Sequence, residues 1–200
     1  MKTTPLLILV LAVTISCNQR NKTADTTEQV NQKNIDSSKE TASFFPVGDF
    51  IKGELTEIRR NGKNPIKYFF RGQQKDSSWI KVEELEKEFQ EFYSPLIDSI
   101  SYASFFSEKK FFDETLSAVT LVYDPINILP ETLPWIHWDV YIDPETNSVN
   151  RIYLVKKLSP DKLRQFTWIP GKGCRAITIV ESNKGEKPQI IDEVNIKWDY

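Results

Sequence analysis

The sequence predicts an α+β fold, a mostly antiparallel sheet with N-terminal helices packed on one face. Two observations predict it. Helical periodicity is concentrated before Tyr93, and from Leu116 onward the chain reads as short strands at regular spacing. A third observation concerns the core: five Trp, seven Tyr and twelve Phe supply large anchors for it.

The folded part opens at Phe44-Phe45-Pro46-Val47-Gly48-Asp49. Asp49 is a candidate cap for a helix from Phe50 to Arg59, with Phe50, Ile51, Leu55 and Ile58 near one face. Asn61-Gly62 and Asn64-Pro65 mark a turn. Ile66 to Arg71 is rich in aromatics and reads as a strand. Gly72 to Ser77 reads as a polar turn, and Ser78 to Lys81 as the return strand. Val82 to Tyr93 carries the strongest helical pattern. Leu85, Phe89 and Phe92 follow i, i+4, i+7 spacing, opposite a face of Glu and Lys. Glu83 and Glu84 fall in its first turn, where the helix dipole favours acids. Ser94-Pro95 ends it, and Leu96 to Thr115 stays open between helix and strand.

Leu116 to Tyr123 reads as a strand broken by Asp124-Pro125, and Pro130 and Pro134 bracket a loop. Trp135 to Ile142 is the clearest strand. It joins Val149–Val155 through a turn that starts Asp143-Pro144-Glu145-Thr146-Asn147. Leu163 to Ile169 and Cys174 to Val180 make a second hairpin across Pro170-Gly171-Lys172-Gly173. Gln189 to Trp198 is the last strand.

The N-terminus has a different character. Lys2 precedes an apolar run from Pro5 to Ile15, and the chain turns polar at Asn18, directly after Thr14-Ile15-Ser16-Cys17. That run is well short of the roughly twenty residues that cross a bilayer as a helix. A short apolar core behind a small basic end reads as an export signal. Asn18 to Ser43 is poor in apolar residues and reads as a disordered tether. A flexible chain of that length spans roughly 30 Å on average.

The boundary at Ser16-Cys17 resembles the lipobox of bacterial lipoproteins. The resemblance implies that Cys17 is acylated and that residues 1–16 are removed. The length left after the tether, residues 44–200, reads as a single domain with a real core. Thr14 departs from the Leu that the family prefers there. A simple secreted chain cut after small residues is the alternative. In lipoproteins of Bacteroidota, surface export goes with acidic residues after the cysteine. Asn18-Gln19-Arg20-Asn21-Lys22 is basic instead, which implies a periplasm-facing outer-membrane location. Phe44–Ile58 and Val140–Lys156 are also similar to uncharacterised lipoproteins of Bacteroidota, which implies a fold of this class and no particular activity.

Composition excludes several classes. The formal charge is −2 with the two signs interspersed, so no basic stripe for nucleic acid is present. Two cysteines cannot make a disulfide framework or a multi-cysteine metal site once Cys17 is acylated. No cofactor motif is present. Gly171-Lys172-Gly173 lacks the length and the following Ser or Thr of a phosphate-cradling loop. Asp139, Asp143, Glu145 and Asn147 gather oxygens, but their spacing is not that of a calcium loop and the segment is a good turn by itself. The Glu83–Glu88 charges read as a solvated helix face.

The candidate site lies on the Trp135–Ile142 strand. Strict alternation puts Ile136, Trp138, Val140 and Ile142 on the core face. It puts Trp135, His137, Asp139 and Tyr141 on the other, as a candidate ligand-binding row that stacks and hydrogen-bonds. An exposed face with ordinary cross-strand pairs explains the same pattern and takes precedence. His137 is the only histidine, and a pairing with Cys174 as base and nucleophile has nothing in the sequence to bring the two together.

The leading functional expectation is a membrane-anchored envelope lipoprotein with a small domain that binds an envelope protein or a small ligand. An envelope hydrolase built around His137 is one alternative. A purely structural envelope component that pairs through a sheet edge is the other.

Overall fold

The computed structural model describes residues 44–97, 99–181 and 187–200. The export signal, Cys17 and the polar stretch to Ser43 lie outside them. What they build is mostly β: one nine-stranded sheet in which every neighbouring pair is antiparallel. The strands are β1 (Ile66–Arg71), β2 (Gln74–Trp79), β3 (Phe106–Asp113), β4 (Ala118–Pro125), β5 (Trp135–Ile142), β6 (Val149–Ser159), β7 (Lys162–Ile169), β8 (Gly173–Val180) and β9 (Gln189–Lys197). The spatial order is β2-β1-β9-β8-β7-β6-β5-β4-β3. β3 to β9 thus run as one meander, and the β1–β2 hairpin adds beside the last strand.

Turn chemistry explains the tight connections. Gly72 takes a positive φ of 57° in the two-residue turn between Arg71 and Gln74. The predicted polar turn over Gly72–Ser77 is therefore much shorter, and Gln74–Ser77 belong to a strand whose residues are all exposed. Between β5 and β6, Asp143 Oδ1 accepts the Glu145 and Thr146 amides at 2.8 and 3.0 Å. Asn147 supplies the left-handed residue of that turn. β4 continues through Asp124-Pro125, which was expected to break it. Pro125 sits at the strand's last position, opposite Phe106, where a missing donor is tolerated.

The helices are fewer and shorter than the periodicity suggests. α1 runs Val47–Arg60 and starts earlier than expected. Pro46 occupies the cap position with no side-chain cap, and Asp49 sits in the first turn instead. The predicted helix over Val82–Tyr93 is a five-residue helix, α2 (Leu85–Phe89), between 3₁₀ turns at Val82–Glu84 and Gln90–Phe92. Its apolar spacing is nonetheless used, because Leu85, Phe89 and Phe92 are all fully buried. The open stretch holds a short helix, α3 (Ser99–Tyr102), and then β3.

Trp135, Trp138, Trp168 and Trp198 form the aromatic centre of the core, whereas Trp79 is 61 % exposed. Phe89 meets Trp168 and Trp198 edge-on at 5.6 and 5.7 Å between ring centres. Phe92 meets Phe166 at 5.2 Å. Ile51, Leu55 and Ile58 of α1 belong to the same buried cluster. Burying each such large side chain contributes about 1.5–3 kcal/mol. At one margin Arg164 ties β7 to Glu91 at 2.9 Å and to Asp192 of β9 at 2.8 Å.

Candidate functional site

β4, β5 and β6 carry the polar strip. Val122 pairs with Asp139 and Tyr123 with Trp138, so Asp124 falls beside His137 on the face away from Trp138. On the other flank Val155 pairs with His137, Tyr153 with Asp139 and Arg151 with Tyr141. Period-two geometry thus brings residues from three strands onto one face.

His137 bridges two carboxylates. Its Nδ1 lies 2.8 Å from Asp124 Oδ1, and its Nε2 lies 3.1 Å from Asp139 Oδ1. The first is a well-formed hydrogen bond. The second lacks hydrogen-bond alignment and is an ion pair whenever the ring is protonated. The Tyr141 hydroxyl donates to Asp139 Oδ2 at 3.0 Å, and Lys109 of β3 reaches Asp124 Oδ2 at 3.1 Å. Tyr153 packs its ring edge-on to the imidazole, and the Arg151 guanidinium sits 5.5 Å from the centre of the Tyr141 ring.

These contacts tune the groups. The Asp139 carboxylate raises His137 above its ordinary value, and Asp124 adds to this, outweighing the burial that would lower it. Burial alone would raise Asp124, but His137 and Lys109 bring it below the ordinary carboxylate value. Tyr141 is pushed up to about 12, first by burial and then by the neighbouring Asp139 charge.

The structure brings three of the four row members onto one face. His137, Asp139 and Tyr141 are together. Trp135 is not with them. A bulge between Trp135 and His137 breaks the strict alternation and turns Trp135 into the core. There it is fully buried, packs on Phe166 and donates its indole N–H to Pro95 O. The same bulge takes Ile136 away from the expected core face. It lines a separate cavity with Leu129, Leu133 and Leu158.

His137 and Cys174 lie on opposite faces. Cys174 pairs with Trp168, Trp168 with Ile152 and Ile152 with Val140, all on the core side. The thiol is 4 % exposed, and burial, with a smaller contribution from Glu91, raises it far above its ordinary value. No Ser, Thr or Cys side chain hydrogen-bonds His137 among the described residues. The oxygens near the β5–β6 turn do not converge either, since Asp143 is spent on backbone amides and Asp139 on His137 and Tyr141. Among the described residues, no group of three or more His, Cys, Asp or Glu side chains is placed to hold a metal ion.

Sequence reasoning missed Asp124, Lys109, Arg151 and Tyr153 as partners of the row. The available signal was register: once β4–β5 and β5–β6 pair, their place on that face follows.

Comparison with known protein families, curated proteins and solved structures finds no match to this chain.

Proposed function

We propose that this chain is a lipid-anchored lipoprotein of the bacterial cell envelope, held at Cys17 on the periplasm-facing side of the outer membrane, with a sheet domain that binds rather than catalyses. The anchor rests on the Lys2–Cys17 segment and its likeness to a lipobox. By that likeness the modification supplies several acyl chains, and about 0.8 kcal/mol per buried methylene makes such anchoring durable without a spanning helix.

The binding part rests on one observation, the network Asp124–His137–Asp139–Tyr141 assembled on a sheet face. A carboxylate only 8 % exposed on that face is costly unless paired, and here it is held by an imidazole and a phenol. Rigid, half-buried polar and aromatic groups of this kind suit recognition. In this reading the helical segments cover the opposite, apolar face. The contacts of Phe89 and Phe92 with the Trp168 side support that arrangement. Both ring nitrogens of His137 are committed to carboxylates, which favours binding over a hydrolytic role for the ring.

Two measurements test the reading. The first is the intact mass of chain extracted from membranes, beside a Cys17→Ala variant. An N-terminus at Cys17 with added acyl mass, lost in the variant, is expected. A soluble product with a free Cys17 thiol overturns the anchor. The second is native mass spectrometry of the purified chain. A co-purifying small molecule that is lost in Tyr141→Ala is expected. A bound molecule retained unchanged in Tyr141→Ala overturns the assignment of this face.

A further inference from the structure

A cavity of about 420 Å³ lies beside the network, on strands β6 to β9. Its lining includes Arg151, Lys172, Gly173, Arg175, Lys197 and Asp199. Four cations thus face one carboxylate, in a chain whose net charge is −2. All four are exposed, and clustering like charges around one concavity concentrates positive potential there, which favours an incoming anion.

The protein itself neutralises only one of the four. Arg175 makes a two-point contact with Glu193 at 2.8 and 2.9 Å. Arg151, Lys172 and Lys197 have no carboxylate partner among the described residues. Arg151 is not loose, because its guanidinium is held over the Tyr141 ring. Lys172 is placed by the β7–β8 turn, where its amide donates to Ile169 O at 3.1 Å and its carbonyl accepts the Trp198 amide at 3.0 Å. Lys197 pairs with Gly173 across the β8–β9 ladder.

Gly173 lies in the lining between Lys172 and Arg175, and a Cβ there would lie 2.6 Å from Ile196 O, so close approach of the β9 backbone requires glycine at this point of the wall. The volume is in the range of small-ligand sites. Two ammonium groups and one planar guanidinium suit oxygens carrying more than one negative charge.

We propose that this cavity binds a phosphate-bearing ligand, with Arg151, Lys172 and Lys197 as its charge partners. The inference goes beyond the anchored-binder reading and stands without the anchor. Two sources share the chemistry, a soluble phosphorylated molecule and the phosphate headgroup of a lipid.

The test uses the full Cys17→Ala chain, so that no acyl group contributes to membrane association. One arm titrates inorganic pyrophosphate by calorimetry, with backbone amide NMR as the second readout. The other measures sedimentation with phosphatidylcholine vesicles, with and without phosphatidic acid. Saturable binding in at least one arm is expected, with amide shifts centred on Gly173 and Arg175. Lys172→Gln with Lys197→Gln weakens it tenfold or more. Lys197→Arg, which keeps the charge, retains it, and Lys110→Gln, on the opposite edge strand β3 and outside the cavity lining, leaves it unchanged. Binding of pyrophosphate assigns a soluble ligand, and binding only to phosphatidic acid vesicles assigns a headgroup. Absence of saturable binding in both arms overturns the proposal. So does equal weakening by Lys110→Gln, which would mean diffuse charge attraction.

Discussion

His137 Nδ1 lies 2.8 Å from Asp124 Oδ1, across the seam between β4 and β5. A protonated ring hydrogen-bonds Asp124 and sets its positive charge 3.1 Å from Asp139 Oδ1, so one imidazolium serves both carboxylates. Its protonation therefore couples two carboxylates to the pairing of two strands.

Stability should depend on pH through this ring. Folding raises His137, so its contribution is fully present below the ordinary value of 6.5 and is lost as pH rises through the raised folded value. Folding lowers Asp124, so its contribution is present above the ordinary value of 3.8 and is lost as pH falls through the lowered folded value. Both contributions are present between those two ordinary values. Asp124 is 36 % exposed, so solvent screening reduces the effect, and about 1 kcal/mol is expected at stake. Urea unfolding across pH should show wild-type stability falling above neutrality, while His137→Gln stays flatter there. Parallel curves for the two proteins would refute the coupling.

Tyr141→Phe removes the only well-aligned donor to Asp139 and leaves a nearly buried carboxylate oxygen unpaired. A cost of about 1–3 kcal/mol is expected from that unpaired group. Alkaline titration of the wild type should also show one tyrosinate appearing near pH 12, absent from the variant. A variant as stable as the wild type would mean that water or a mobile cation replaces the phenol at no cost.

Phe89 is a test of the core. Truncation of Phe89 to Ala removes ring contacts to Trp168 and Trp198 from a fully buried position and should cost about 3–5 kcal/mol. Phe111 on β3 is 49 % exposed, and Phe111→Ala should cost about 0.5 kcal/mol or less. Chemical denaturation of the pair measures the difference. Similar losses would contradict the burial described for Phe89.

Cys174 should be chemically silent while the domain is folded. Its thiol is buried and held protonated, so alkylation requires opening of the sheet. Labelling rates are expected to follow urea-induced unfolding with a single midpoint. Rapid labelling in native buffer would return Cys174 to the list of reactive groups.

Much of the sheet was legible because its signal is local. Ile66–Arg71 and Trp135–Ile142 form strands with those bounds, as their aromatic and branched residues imply. His137, Asp139 and Tyr141 share a face because a strand's side chains alternate. Trp135 left that face because a bulge changes the count by one, and nothing in the residues around Ile136 marks it. Asp124 was out of reach for another reason. Its bond to His137 depends on strand register, and Asp-Pro is ordinarily a breaker rather than a strand end. In α2 the apolar spacing was right while the helix was short, since burial of Leu85, Phe89 and Phe92 is served equally by turns on either side.

The strand order has a consequence for how the chain is made. β1 pairs with β9 from Ile66–Lys197 to Phe70–Glu193, so its inner edge waits for a strand more than a hundred residues later in the chain. Until then the first hairpin has only itself, and an isolated hairpin is marginal in water. The meander can grow in order from β3, but the β1–β2 unit docks only when β9 arrives. Closing so large a loop costs entropy that only the finished ladder returns. β9 therefore works as a clasp. A chain that lacks β9 stays unlocked, and loss of Gln189–Lys197 would leave the β1–β2 hairpin without its partner strand.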